Sequence, residues 1–154
     1  MKVDADAVFV PKRLKTMMKG QPLSATGVYL ENCKEVQWGL FGNLEVWSVQ
    51  AFNALLTNID SCSESIDWVT GTKWGPIGED LFAQMCMDKQ SVSKVQNFDV
   101  TTDAMCPGTR KRWGEKNNKK WKIPCDKVMT PAMHPFKKPE EYFSCLDATL
   151  ALDN

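Results

Sequence analysis

A chain of 154 residues is long enough to bury one core, and no composition shift or flexible linker divides it, so a single domain over residues 1–154 is expected. Its 19 basic and 19 acidic residues cancel, which removes any general attraction to nucleic acid or to an acidic membrane. The apolar runs are short and interrupted, well under the roughly 20 residues of a bilayer-spanning helix, so no membrane span is expected.

Met1-Lys2-Val3 reads as the end of a strand that enters an acidic turn and leaves through Val8-Phe9-Val10. Pro11 suits the first turn of a helix, Leu14, Met17 and Met18 give it an apolar stripe, and Gly20 ends it. Short strands are expected at Gly27-Val28-Tyr29-Leu30 and at Leu44-Glu45-Val46-Trp47, with Gly39 and Gly42 punctuating the segment between them. Ser48 can cap a helix in which Val49, Phe52, Leu55, Leu56 and Ile59 form one inward face. Residues 60–78 read as a loop, followed by a helix from Glu79 that turns Leu81, Phe82, Met85 and Cys86 inward. A strand is expected over Val92 to Val100, then a long irregular region over Ala104 to Met133, which Cys106 and Cys125 could staple. A final helix starts at Pro139, with Tyr142, Phe143, Leu146 and Leu150 on one face.

Six cysteines, at 33, 62, 86, 106, 125 and 145, form an even set that suits an oxidising compartment; the alternative is six buried thiols in a cytosolic protein. A structural zinc site is disfavoured, because no Cys-x-x-Cys pair exists and the chain has one histidine. The start of the chain lacks the charged and apolar regions of a secretory signal. A location in the secretory lumen therefore requires a targeting segment upstream.

The chemistry concentrates at three places. Asp4 and Asp6 stand two apart in a turn at a strand end, enclosed by apolar neighbours. Unpaired carboxylates are costly in such surroundings, and a hard divalent cation, Mn2+ or Mg2+, would account for them. Glu79 and Asp80 follow Gly78 at a helix start, where one carboxylate can take a proton from a hydroxyl or both can simply favour the helix dipole. His134 lies among prolines and lysines; it could complete a carboxylate-rich metal site, and Lys137 and Lys138 could neutralise phosphate.

In their order these motifs resemble a glycosyltransferase of the GT-A type. Asp4-Ala5-Asp6 matches the family's Asp-x-Asp metal motif, and Gly39 to Val46 looks like the glycine-bearing segment that lines the sugar and acceptor. Glu79-Asp80 is similar to the acidic pair whose Asp serves as base in inverting members, and His134 is the candidate downstream metal ligand. The resemblance implies an α/β fold, a partial GT-A-like mixed sheet flanked by helices with a long irregular loop before the C-terminal helix. It further implies Asp4, Asp6 and His134 on the metal, Asp80 and Glu79 as catalytic groups, and Lys137 and Lys138 at the diphosphate. Gly42, Asn43 and Trp74 would meet the sugar substrate. Partners would be a nucleotide-sugar donor and a glycan or protein acceptor.

The family places its nucleotide-binding half ahead of the Asp-x-Asp motif, which three residues precede here, so the chain is expected to correspond to the metal and acceptor part of such an enzyme. The alternative is a noncatalytic glycan- or protein-binding module, whose six tryptophans could stack on sugars or anchor a partner. The basic stretch from Arg110 to Lys122, with Trp113 and Trp121, suits phosphate contact and base stacking, but the neutral total charge favours a solvated loop and no nucleic-acid partner.

Overall fold

The structure, a computed structural model, describes residues 1–21, 24–34, 36, 39–67, 76–103, 106, 123, 125–126 and 129–153. These form five helices and three small sheets, so the expected α/β class holds at that level. The basic stretch from Arg110 to Lys122 and Trp38, Trp68, Trp74, Trp113 and Trp121 lie outside the described residues.

The chain opens with β1 (Lys2–Val3), a turn and β2 (Val8–Phe9), then α1 (Pro11–Met17) with its proline at the start. β1 pairs antiparallel with β4 (Leu44–Glu45), setting Lys2 opposite Glu45 and Val3 opposite Leu44. β2 pairs antiparallel with β7 (Ala132–His134), which runs parallel to β6 (Thr101–Asp103), giving the order β2-β7-β6. β3 (Val28–Glu31) pairs in parallel with β5 (Ser93–Gln96). Backbone bonds from Leu30 to Val46 and from Ser48 to Val28 then tie β3 to the chain leaving β4.

Ser48 caps α2 (Val49–Thr57) as its position suggests, its hydroxyl accepting from the Ala51 amide at 3.2 Å and from the Val28 amide at 3.0 Å. Gly27 sits directly against this cap with φ +88°, and a Cβ there would lie 2.3 Å from the Ala51 nitrogen, so glycine alone fits. The helix does not bury the expected face. Ala51 and Leu55 enter the core, whereas Val49 is 72% exposed and Phe52, Leu56 and Ile59 are also exposed. The apolar stripe is wider than the strip that β3 and α4 (Glu79–Lys89) cover, and Leu55 lies at its centre.

Residues 60–65, expected as loop, belong to α3 (Ile59–Ser65), whose Cys62 is disulfide-bonded to Cys86 on α4. The helix is short and mostly polar, so little periodic signal marks it; the covalent tie to α4 supplies what its own burial does not. The expected strand from Val92 to Val100 is realised only as β5; a turn at residues 98–99 follows it, and β6 begins at Thr101, beyond the expected end. α5 (Pro139–Ala151) begins at its proline, but it buries Cys145 and Thr149 while Phe143 and Leu150 stay exposed.

Cys106 bonds to Cys33 and Cys125 to Cys145, so both cysteines expected to staple the segment from Ala104 to Met133 are disulfide-bonded, each to a residue outside that segment. Cys33–Cys106 spans 73 residues and joins the end of β3 to the end of β6; Cys125–Cys145 joins the segment before β7 to α5. Among the described residues no helix is long and apolar enough to cross a membrane.

Three buried clusters result. One gathers Tyr29, Leu55, Phe82 and Met87 between β3, α2 and α4; a second gathers Leu14, Leu30, Leu44, Val100 and Ala132; the third sets Val8, Met133, Phe136 and Cys145 under α5. Arg13 of α1 is buried and clamps the end of the chain. Its guanidinium donates to both carboxylate oxygens of Asp153, to the Thr130 carbonyl at 3.1 Å and to the Thr149 carbonyl at 3.0 Å.

Candidate metal centre

Asp4 and Asp6 occupy the turn that carries the chain from β1 into β2. The Asp4 amide donates to the Asn43 carbonyl at 3.2 Å, the Ala7 amide returns to the Asp4 carbonyl at 3.0 Å, and the Phe136 amide donates to the Asp6 carbonyl at 2.9 Å. The backbone of the acidic turn is therefore fastened to two different sheets. Because Val8 pairs with Met133, the next residue of β7, His134, arrives beside the turn. Its Nε2 lies 3.2 Å from Asp6 Oδ1 and 3.7 Å from Asp4 Oδ2. One ligand atom from each of Asp4, Asp6 and His134 lies within 4.8 Å of the others.

The parallel register of β6 and β7 sets Asp103 opposite His134, and its carboxylate meets His134 Nδ1. Asp103 is 2% exposed, and the Asn43 amide donates to it at 3.3 Å and to the Thr101 hydroxyl at 2.7 Å. With Nδ1–H given to Asp103, Nε2 is left facing the two aspartates. This carboxylate–histidine arrangement is the usual outer support of an imidazole that ligates a metal. Two carboxylates and one imidazole also suit a divalent cation that keeps open positions for phosphate oxygens and water. The residues therefore fit the Mn2+ or Mg2+ suggested by the sequence.

Asp6 also meets the Lys137 ammonium. Burial alone would raise the Asp6 carboxyl, but the hydrogen bond and charge of Lys137 hold the group below the usual carboxylate range. Lys138, by contrast, points to Glu141, at 3.5 Å.

On the other side of the turn Lys2 collects carboxylates. Its Nζ lies 3.5 Å from Asp4 Oδ1 and 2.8 Å from Glu45 Oε1, and it also meets Glu79. Partial burial disfavours the ammonium, yet Glu45 and Glu79 raise its pKa above the ordinary lysine value. Lys2 in turn holds Glu79 low, whereas burial pushes Glu45, 1% exposed, upward against the pull of Lys2. Asp80 is fixed by the Gly42 amide, which donates to its Oδ2 at 3.1 Å; one turn further along α4, Gln84 accepts from the Leu40 amide at 3.0 Å. Asn32 shapes the intervening loop, donating to the carbonyls of Phe41 and Leu44 and accepting from the Phe41 amide.

Polar contacts thus run without a break from Asp103 through His134, Asp6 and Asp4 to Lys2, Glu79 and, by way of Gly42, Asp80. A Cβ on Gly42 would stand 3.5 to 3.6 Å from Glu79, Asp80 and Lys2, so this glycine lies at the centre of the acidic pair. Asn43, grouped by sequence with the sugar-contacting residues, is buried, and its amide donates to Asp103 and Thr101. Trp74 falls outside the described residues. Asp103 and Glu45 were not singled out by the sequence. The signal that each gives there is slight: an acid ending Val100-Thr101-Thr102-Asp103, and a lone acid between Leu44 and Val46. No family model, no curated protein and no solved structure matches the chain.

Proposed function

We propose that this surface binds a nucleotide-sugar donor through Mn2+ or Mg2+ and transfers its sugar to a hydroxyl of a glycan or protein acceptor, with inversion, as in a GT-A type glycosyltransferase. The observation that carries the reading is the convergence of Asp4, Asp6 and His134, anchored by Asp103, beside the acidic pair at the start of α4. When bound, the cation supplies positive charge against the diphosphate oxygens as they become the leaving group. Asp4, Asp6 and His134 Nε2 would hold it, and Lys138 would meet phosphate oxygens.

The remaining chemistry falls to the other half of the polar run. Asp80, oriented by the Gly42 amide, takes the proton of the acceptor hydroxyl as that oxygen bonds to the anomeric carbon and the bond from that carbon to the diphosphate breaks. The Lys2 ammonium engages Glu79 and holds its carboxyl low, which makes Glu79 a poor proton acceptor. Three disulfides are compatible with an oxidising secretory environment, of which the Golgi lumen is the compartment this activity implies.

Calorimetric titration with UDP and with GDP, with and without Mn2+, tests the donor side. Nucleotide binding is expected only with Mn2+, and Asp6→Asn should weaken it by at least the roughly 10–100-fold that even supporting residues of metal sites command. Asp80→Asn should leave that binding intact while transfer from the matching nucleotide-sugar is lost. Nucleotide binding that ignores both Mn2+ and Asp6 contradicts the proposal.

A further inference from the structure

Beside Asp6, a depression of about 250 Å3 opens between the acidic turn and the first turns of α5, lined by Ala5, Asp6, Lys137, Lys138, Tyr142 and Phe143. Its volume is below the roughly 300–1,000 Å3 of pockets that take drug-sized ligands, so it has room for a single ring. The wall is aromatic. Phe136, Tyr142 and Phe143 form a ladder of edge-to-face contacts, with centroids 6.3 and 5.4 Å apart. Phe143, at its outer end, is 59% exposed, although Cys145 and Thr149 do the inward packing of that helix. An exposed aromatic face beside a polar site suits the C–H face of a pyranose.

The charges around the depression depend on Asp6. Lys138 is balanced by Glu141 and Lys137 by Asp6. A divalent cation on Asp4, Asp6 and His134 would bind the Asp6 oxygen that faces His134, draw on the charge that balances Lys137 and repel the Lys137 ammonium, which already lines the depression. Cation binding therefore leaves the depression with an uncompensated positive charge next to an aromatic wall. A neutral nucleobase would gain nothing from that charge. A sugar carrying a carboxylate on its own ring would gain from both, and it still fits one ring's space.

We infer that the depression is a cation-dependent subsite for a uronic acid, with the ring stacked on Phe143 and the carboxylate on Lys137. The inference rests on the proposed donor-cation site and names the substrate class beside it. The uronic acid could be the donor's own sugar or the terminal sugar of the acceptor, and two arms of one experiment separate these sources. In the presence of Mn2+, one arm compares UDP-glucuronic acid with UDP-glucose; the other compares a glucuronic-acid-terminated disaccharide with its glucose-terminated counterpart.

A preference of about tenfold for the glucuronic probe is expected in one arm, which identifies the source, and Phe143→Ala and Lys137→Met should each abolish it. Phe143 is exposed, so Phe143→Ala should leave the fold and the affinities for Mn2+ and UDP unchanged. Lys137→Met should in addition tighten Mn2+ binding in the absence of sugar, since a competing cation is removed from Asp6. Equal binding of both probes in both arms overturns the inference, as does a preference that survives Phe143→Ala. UDP with Mn2+ serves as control. If it binds while the glucuronic preference is absent, only the uronic-acid subsite fails; if it does not bind, the donor-cation site fails and the subsite with it.

Discussion

Replacing Arg13 by Met should lower the thermal midpoint by on the order of 10 °C, the largest stability effect expected from a single side chain outside the candidate centre. Arg13 is buried, and its guanidinium is the donor to Asp153, to Thr130 and to Thr149. Methionine fills much of the volume but leaves a partly buried carboxylate and two carbonyls without that donor. Removing one partner of a buried ion pair costs about 3–5 kcal/mol, far more than the pair itself contributes over an apolar replacement. In a domain of this size each kcal/mol moves the midpoint by about 2–4 °C. Arg13→Lys keeps the charge but cannot span the carboxylate and both carbonyls, so it should recover only part of the loss. Asp153→Asn should cost less than Arg13→Met, because Asp153 is the more exposed partner. A scanning-calorimetry midpoint for Arg13→Met within about 2 °C of the parent, the shift of a 1 kcal/mol change, would contradict this account of how α1 and the end of α5 are joined.

Asp103→Asn should weaken Mn2+ binding by about 10–100-fold, although Asp103 is not among the proposed ligands. The carboxylate does two things for His134: it fixes the ring so that Nε2 faces Asp4 and Asp6, and its charge makes that nitrogen a better donor to a cation. Asparagine has the same shape but only one acceptor oxygen. His134 Nδ1 and the Asn43 amide both meet one oxygen of Asp103, Oδ2, so asparagine can keep both contacts and what it loses is the negative charge behind the imidazole. A cooperative thermal transition of the variant shows that the fold survives, and the Mn2+ isotherm then reports on the ring alone. Unchanged affinity would mean that His134 is held by something other than Asp103 or takes no part in binding.

Much of the local structure was legible in the sequence because it is decided locally. Pro11 and Pro139 start helices, Ser48 caps one, and the acidic turn between two short strands is read directly from Val3-Asp4 to Val8-Phe9. What the sequence hides is decided by distant partners. The inward face of α2 depends on what packs across from it, so an apolar stripe running from Val49 to Ile59 did not reveal that Ala51 and Leu55 alone enter the core. Cysteine spacing fixes no pairing, since Cys33 meets Cys106 only after β3 and β6 have been placed.

The candidate site divides in the same way. Asp4 and Asp6 are neighbours in sequence and were visible as a pair, and Glu79-Asp80 likewise. That His134 joins the first pair follows from the register of β2 with β7, and that Asp103 stands behind His134 follows from the register of β7 with β6. Neither register has a sequence signature, because β6 and β7 are three residues each and most of the chain between them gives no periodic pattern. Lys2 links the two acidic pairs through the pairing of β1 with β4, which an isolated lysine at position 2 gives no reason to expect.

The most direct test of the centre uses the fact that His134 is the single histidine of the chain. Electron spin-echo spectroscopy of bound Mn2+ should show coupling to the nitrogen of one imidazole. His134→Ala should abolish that coupling, and Asp6→Asn should reduce Mn2+ occupancy. Mn2+ bound with no imidazole coupling in the parent protein would contradict the assignment of Asp4, Asp6 and His134 as one metal centre.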